Sequence, residues 1–276
     1  MFVLEQVQEK LDYRNCKSRH FKETTSLGRI AQTATLLGLI FGVHMTLFCI
    51  AIYQAWSVIW IQWCSYVALL SVFHLLEFFA TALNRDDELS NNSFVVNHSL
   101  AYTAAALASW IEFWTETWLD HYGLLPFNKE SFWQVGFVIM VVGNAICFHG
   151  MPYCGKNFSH LVMTERREGH QLVTTGIYAL LRHPAYFGWF YWSVGTQILL
   201  GNPLCTIAYA LASWRFFANR IPFEESHLEE FYGEEYKAYK GRTFVGIPLF
   251  RSCLWGYYLV QIGIIKIFVV FVRDKL

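Results

Sequence analysis

The residues best equipped for chemistry crowd into one stretch of the chain. It reads Gly169-His170-Gln171-Leu172-Val173-Thr174-Thr175-Gly176-Ile177-Tyr178 and resumes at Arg182-His183-Pro184-Ala185-Tyr186-Phe187-Gly188. A loop that only connects helices rarely needs two histidines, an arginine, two tyrosines and three glycines together. Gly176 and Gly188 permit close backbone approach, and Pro184 fixes the chain where it enters an apolar run. A second cluster follows, Trp214-Arg215-Phe216-Phe217-Ala218-Asn219-Arg220-Ile221-Pro222-Phe223-Glu224-Glu225. Arg220 and Glu224 flank Pro222 there, at the expected inner membrane surface. Each residue also has an ordinary reading. His170 and His183 taken singly are packing histidines, Arg220 snorkels, and Glu224 opens a solvated acidic helix. Glu229, Glu230, Glu234 and Glu235 belong to that ordinary class, as a charged face running to Tyr236 and Tyr239.

The elements that must position these residues are apolar. Of the 276 residues 55% are hydrophobic and only 15% charged, against about 25% charged in soluble domains. Glu77 is the single charge between positions 30 and 83, and none occurs in 131–155 or 183–214. Uncharged runs of this length read as membrane-spanning helices, which need about 20 residues each. The pattern excludes a soluble globular enzyme, a disordered chain and a secreted disulfide scaffold. The seven cysteines form no C-x-x-C pair, so they read as small buried hydrophobes and no metal centre is expected. Lys+Arg and Asp+Glu balance at 21 each, which gives nucleic acid no electrostatic footing.

Six spans are expected: 30–52, 57–83, 94–119, 132–149, 186–200 and 204–218. The third carries Glu112 and Glu116 one helical turn apart, facing the same way. The last two form a hairpin broken at Gly201-Asn202-Pro203. Basic residues concentrate before the first span, after the fourth (Lys156, Arg166, Arg167, Arg182) and after the hairpin (Arg220, Lys237, Lys240, Arg242, Arg251). An even number of spans puts all three basic segments on one side, the cytosol. Residues 1–29 then form a cytosolic N-terminal segment and 30–153 transmembrane helices. Residues 154–251 form a catalytic region of cytosolic segment, hairpin and C-terminal cytosolic helix, and 252–276 an apolar tail that is a candidate seventh span.

The spaced pattern His170-x-Leu172-Val173-x-x-Gly176-x-Tyr178-x-x-x-Arg182-His183-Pro184-x-Tyr186-x-Gly188 resembles the isoprenylcysteine carboxyl methyltransferase family. So do Gly195-Thr196-Gln197, Asn202-Pro203, Arg220 and Glu224-Glu225, and the likeness runs from Tyr66, through Asn97-His98-Ser99-Leu100 and Ser109-Trp110, to Ile247-Pro248. It is similar to the eukaryotic enzymes of the endoplasmic reticulum more than to bacterial relatives, which share mainly the Arg-His-Pro-x-Tyr block and the glutamate. The chain departs from the eukaryotic pattern in lacking further N-terminal spans and in continuing past Ile247-Pro248 to Leu276.

The resemblance implies an all-α polytopic bundle of six to seven spans with a cytosolic cofactor pocket. It implies methyl transfer from S-adenosyl-L-methionine to the C-terminal carboxylate of a prenylated cysteine in CaaX proteins, at the endoplasmic reticulum membrane and among membrane lipids. His170, Gln171, Leu172, Val173, Tyr178, His183, Pro184, Ala185, Tyr186 and Glu224 would hold the cofactor, and Arg220 the substrate carboxylate. An α-carboxylate of pKa ~3.5 is already ionised in the cytosol, so no general base is required. Trp189, Tyr191, Trp192 and Trp214 either line a path for the prenyl chain or belong to helix packing. Rival readings are a phospholipid amine N-methyltransferase, an NADPH-dependent sterol or enone reductase with a related Arg-His-x-x-Tyr hairpin, and a polytopic scaffold. In the scaffold Glu112, Glu116 and Arg215 would bind helices to one another.

Overall fold

Apolar runs become helices in the computed structural model, which describes residues 27–84, 89–96, 99–125, 131–158, 162–166 and 169–250. In chain order these are α1 (Leu27–Tyr53), α2 (Val58–Asn84), α3 (Leu100–His121), α4 (Trp133–Cys154), α5 (Pro184–Leu200), α6 (Pro203–Tyr232) and α7 (Glu234–Arg242). Among the described residues there is no strand beyond an isolated parallel bridge between Leu181 and Phe244. Three helices, α1, α2 and α4, are long and apolar enough to cross a membrane, with mean hydropathies of 2.2, 1.8 and 1.7 over their best windows. The tail expected at 252–276 and most of the N-terminal segment lie outside the described residues.

Glycine decides how the central pair meets. Gly136, Gly143 and Gly150 recur every seven residues on α4, and Gly188 and Gly195 repeat the same interval on α5. A methyl group on Gly143 would sit 2.6 Å from the Trp192 nitrogen, and one on Gly188 would overlap the backbone of Cys147. Nothing larger than hydrogen fits, so the two backbones touch along most of their length. The core beside this seam gathers Tyr66, Phe73, Phe113, Met140, Trp192, Leu199 and Leu200. Trp192 lies flat on Phe73, with ring centroids 3.7 Å apart.

Two helix boundaries depart furthest from the sequence expectation, while α4 also runs past 149 to Cys154. The third span was expected from position 94, but Phe94 closes a 3-10 turn (Asn91–Phe94) and the helix starts at Leu100. Phe94 is apolar because it is buried against α2 and not because it faces lipid; it stacks on Phe78 at 4.2 Å while its carbonyl bonds His74 Nδ1 at 2.9 Å. Ser99 then starts the helix by accepting the Tyr102 N–H at 3.1 Å. The second departure is α6, which runs through Pro222 to Tyr232 instead of stopping near 218. Proline removes one backbone hydrogen bond there without ending the helix.

The hairpin between α5 and α6 turns as its residues dictate. Gly201 takes the left-handed conformation at φ 72°, and Pro203 opens α6 where no N–H is needed. Glu112 on α3 accepts from the Leu204 and Cys205 N–H groups, both at 2.7 Å, and so caps α6. Asn202 Nδ2 donates to the Ser109 carbonyl at 2.8 Å and to Gln197 Oε1 at 3.0 Å. Glu112 is half-buried, whereas Glu116, one turn on, is buried.

Candidate active site

The entry to α5 is where charge is buried. Pro184 takes the first helical position, so Arg182 and His183 stand just before the helix, both buried. Arg182 donates from Nε to Glu225 Oε1 at 2.6 Å and from Nη1 to the Thr243 carbonyl at 2.8 Å. His183 Nε2 lies 3.2 Å from the same Glu225 oxygen, and Lys240 Nζ meets Glu225 Oε2 at 2.8 Å. A buried carboxylate needs this much compensation. Burial alone would raise the Glu225 carboxyl, but bonds from His183, Arg182 and Lys240 outweigh it and hold the group well below the usual carboxylate range. Burial works in the opposite direction on Lys240, yet Glu225 and Glu229 keep its ammonium above the ordinary value. Glu225 thereby ties the start of α5 to α6 and α7. The bridge at Leu181–Phe244 closes the same joint, with Arg182 N–H donating to the Phe244 carbonyl at 2.9 Å.

Glu224 points elsewhere. Neighbouring residues of a helix diverge by about 100°, whereas Arg220 and Glu224 stand one turn apart on a common face. Between them lies Tyr186. Arg220 donates from Nε to the Tyr186 hydroxyl at 2.8 Å, and that hydroxyl donates to Glu224 Oε2 at 2.5 Å. The tyrosine ring is fixed by stacking on His183, with centroids 5.3 Å apart and planes 8° from parallel, and the Arg220 guanidinium carbon sits 5.5 Å from its centre. All three members of this cation–hydroxyl–carboxylate row are half-buried. Arg215, the other arginine on α6, is exposed and stands outside it.

The segment leading into α5 is irregular and pinned at its ends. Tyr178 is buried and donates to the Gly150 carbonyl at 3.0 Å, while its own carbonyl accepts from Tyr239 Oη at 2.8 Å. Burial, reinforced by Cys154, pushes its phenol well above the usual value. Gln171 N–H donates to Asn157 Oδ1 at 3.1 Å, and Tyr153 Oη bonds Thr175 Oγ1 at 3.1 Å. Arg166 reaches from this segment to α6, donating to the Phe231 carbonyl at 3.1 Å and lying over the Tyr232 ring.

The site residues expected from the sequence therefore fall into three groups. His183, Tyr186, Arg220 and Glu224 converge. Pro184, Ala185 and Tyr178 are buried parts of the frame, Ala185 against Ala80, Cys147 and Met151. His170, Gln171, Leu172 and Val173 line the segment, which meets α6 two turns beyond Glu224 at Phe231. Leu172 and Val173 are half-buried, and no described residue hydrogen-bonds to their backbone, which leaves N–H and C=O groups for a ligand edge. Together with the Glu224 carboxylate this donor and acceptor set fits a cofactor that carries an adenine at one end and an ammonium at the other. Of the aromatic candidates, Trp192 is core, Tyr191 Oη donates to the Gly246 carbonyl at 3.1 Å and Trp214 Nε1 to the Pro248 carbonyl at 2.9 Å. Trp189 packs edge-on to Phe217 at 5.5 Å.

Sequence reasoning passed over Glu225 as an anchor, Lys240 and Arg166. Glu225 carried one signal: Arg182, preceding a helix-opening proline in apolar surroundings, requires a buried anion. Tyr236 and Tyr239, read as part of a solvated face, are both buried, because α7 folds back onto the 176–182 segment.

Residues 135–230 match the family model described as the isoprenylcysteine carboxyl methyltransferase (ICMT) family. The chain is 43% identical over 228 residues to the protein-S-isoprenylcysteine O-methyltransferase of Xenopus laevis, covering 82% of this chain and 75% of that protein. The chain belongs to the isoprenylcysteine carboxyl methyltransferase family. The Saccharomyces cerevisiae member is 33% identical over 226 residues, covering 80% of this chain and 91% of that one. A solved structure of the eukaryotic intramembrane Ras methyltransferase ICMT superposes with a TM-score of 0.74 at 36% identity, over 90% of this chain and 83% of the other. The matched family region holds the glycine seam, the α5–α6 hairpin and the Arg220–Tyr186–Glu224 row. What this ICMT-family chain shares with its relatives is thus an all-helical membrane protein with the candidate site inside the matched region.

Proposed function

We propose that the chain is an S-adenosyl-L-methionine-dependent methyltransferase acting on the C-terminal carboxylate of prenylated cysteine in CaaX-processed proteins. The names of its relatives support the reaction, and the Arg220–Tyr186–Glu224 row carries the assignment to this site. S-adenosylmethionine supplies a methyl group on a positively charged sulfur, poised for attack by an oxygen nucleophile. Glu224 binds the cationic amino group of the cofactor, and the backbone of Leu172 and Val173 meets its adenine, with His170 and Gln171 beside them. Arg220 receives the substrate carboxylate. Its Nε donates to the Tyr186 hydroxyl, which orients the planar guanidinium, and a guanidinium of this kind meets both oxygens of a carboxylate with parallel N–H groups. A guanidinium strips water from the nucleophile and aligns it without neutralising it. The rest of the expected set supports these groups: His183 fixes the Tyr186 ring, while Pro184, Ala185 and Tyr178 fix the helix entry.

In this reading all six long helices, α1 to α6, cross the endoplasmic reticulum membrane. The basic segments, including the parts of the 154–251 catalytic region on either side of its transmembrane hairpin, face the cytosol, and the 30–153 helices lie in the membrane. A prenyl chain partitions into the bilayer at ~0.8 kcal/mol per buried CH₂, so it reaches the site from the membrane while the cofactor arrives from the cytosol. The defining experiment is transfer of labelled methyl from S-adenosylmethionine to a farnesyl-cysteine analogue in membranes containing the protein. The expected result is methylation of the free acid and none of the carboxamide or of unprenylated cysteine. Methylation of phosphatidylethanolamine, with none of farnesyl-cysteine, would contradict it.

A further inference from the structure

Tyr186 touches both Arg220 and Glu224, and it does so through a single oxygen. That oxygen accepts from a cation and donates to an anion, so the two bonds polarise one another. The ring stacks on His183, with planes 8° apart, and packs against Phe217 at 5.0 Å. His183 is in turn held by Glu225 at 3.2 Å. A hydroxyl fixed this way transmits a change at one end of the row to the other.

We propose that Tyr186 is a coupling residue: through its hydroxyl, carboxylate binding at Arg220 strengthens cofactor binding at Glu224, and the reverse. The inference rests on the methyl-transfer reading of the site. Its sign follows from charge. An anion on the guanidinium weakens the pull of Nε–H on the tyrosine oxygen. The hydroxyl then donates less strongly to Glu224, whose carboxylate keeps more of its charge for the ammonium of the cofactor. Linkage makes the effect reciprocal, so one factor describes both directions. Couplings between neighbouring sites run from about fivefold upward, and a value of about five- to tenfold is expected here.

The test measures the dissociation constant of S-adenosylhomocysteine for the full-length protein in detergent or nanodiscs, with and without saturating farnesyl-cysteine. This cofactor form has no sulfonium, which removes direct attraction between sulfur and carboxylate as a source of coupling, and it cannot turn over. Wild-type protein should bind it about five- to tenfold more tightly when farnesyl-cysteine is present. With the farnesyl-cysteine carboxamide in place of the acid, the enhancement should vanish. Tyr186→Phe keeps the ring stack and removes only the hydroxyl, so both ligands should still bind with a coupling factor near one. An unchanged factor in Tyr186→Phe, or an equal enhancement by the carboxamide, overturns the proposal. So does a wild-type factor of one while both ligands bind, which leaves the methyl-transfer reading intact. Failure of wild type to bind either ligand overturns that reading itself. The carboxamide comparison uses wild-type protein alone, so the proposal stays open to refutation even if Tyr186→Phe does not fold.

Discussion

Glu224 and Glu225 are adjacent in sequence and opposite in circumstance. Glu225 is buried and fully engaged by Arg182, His183 and Lys240. Glu224 is half-buried, and its carboxylate accepts from a tyrosine hydroxyl that also serves Arg220. A helix separates neighbours by about 100°, so one glutamate turns inward to close the joint between α5, α6 and α7 while the other lines the row where ligands meet. A buried carboxylate saturated by cations holds structure together; a carboxylate with remaining lone pairs at a rim binds. Type and position in sequence are nearly identical, and the difference lies in what stands across from each.

The sharpest way to break the comparison is Glu225→Gln. It leaves the buried Arg182 charge without its anion, so destabilisation of about 3–5 kcal/mol is expected, read as a lowered thermal midpoint in detergent. A variant as stable as wild type would remove Glu225 from the anchor role. Glu224→Gln should behave in the contrary manner. Loss of one charge-assisted contact of about 1.5–3 kcal/mol should weaken cofactor binding some 10- to 100-fold, with the thermal midpoint nearly unchanged. Wild-type cofactor affinity in this variant would reduce Glu224 to a surface charge.

Acidification separates the two again. The fold holds the Glu225 carboxyl below its ordinary value of 4.5, so as pH falls the unfolded chain takes up the proton first. The stability contributed by Glu225 is therefore complete above about pH 4.5 and declines below it. Thermal unfolding between pH 5 and pH 3 should show a steeper loss in wild type than in Glu225→Gln; parallel curves would contradict the assignment. The smallest effect is expected of Lys240→Met. Its side chain is 39% exposed, so the pair with Glu225 is partly screened and worth at most about 1 kcal/mol. A loss as large as that of Glu225→Gln would mean that Lys240, not Arg182, anchors the joint.

The contrast between the glutamates also marks what the sequence could disclose. Uncharged runs located α1, α2, α4 and the hairpin, because a bilayer-length segment is a property of composition. Phe94 misled the start of α3, since an apolar residue buried under a neighbouring helix looks the same as one facing lipid. Arg220 and Glu224 were legible as site residues through the family resemblance, as was the rest of the set, whereas their common helix face was not, because Pro222 made the helix look finished before them. Glu225, Tyr236 and Tyr239 were not, since their roles depend on α7 folding back across the entry to α5, a tertiary event with no local periodicity to announce it. The glycine interval of seven on α4 and α5 was present in the sequence, but only the facing pair gives it meaning.

The central claim, that methyl transfer happens along the Arg220–Tyr186–Glu224 row, is tested most directly by comparing Arg220→Lys with Arg215→Lys. Both retain charge and lose the planar fork, and they lie on the same helix. Arg220→Lys should lower kcat for farnesyl-cysteine methylation by about 30- to 1,000-fold, equivalent to about 2–4 kcal/mol, while cofactor binding persists. Arg215→Lys, altered at an exposed position outside the row, should methylate at nearly the wild-type rate. Near-wild-type turnover by Arg220→Lys, or a loss confined to Arg215→Lys, would contradict the account.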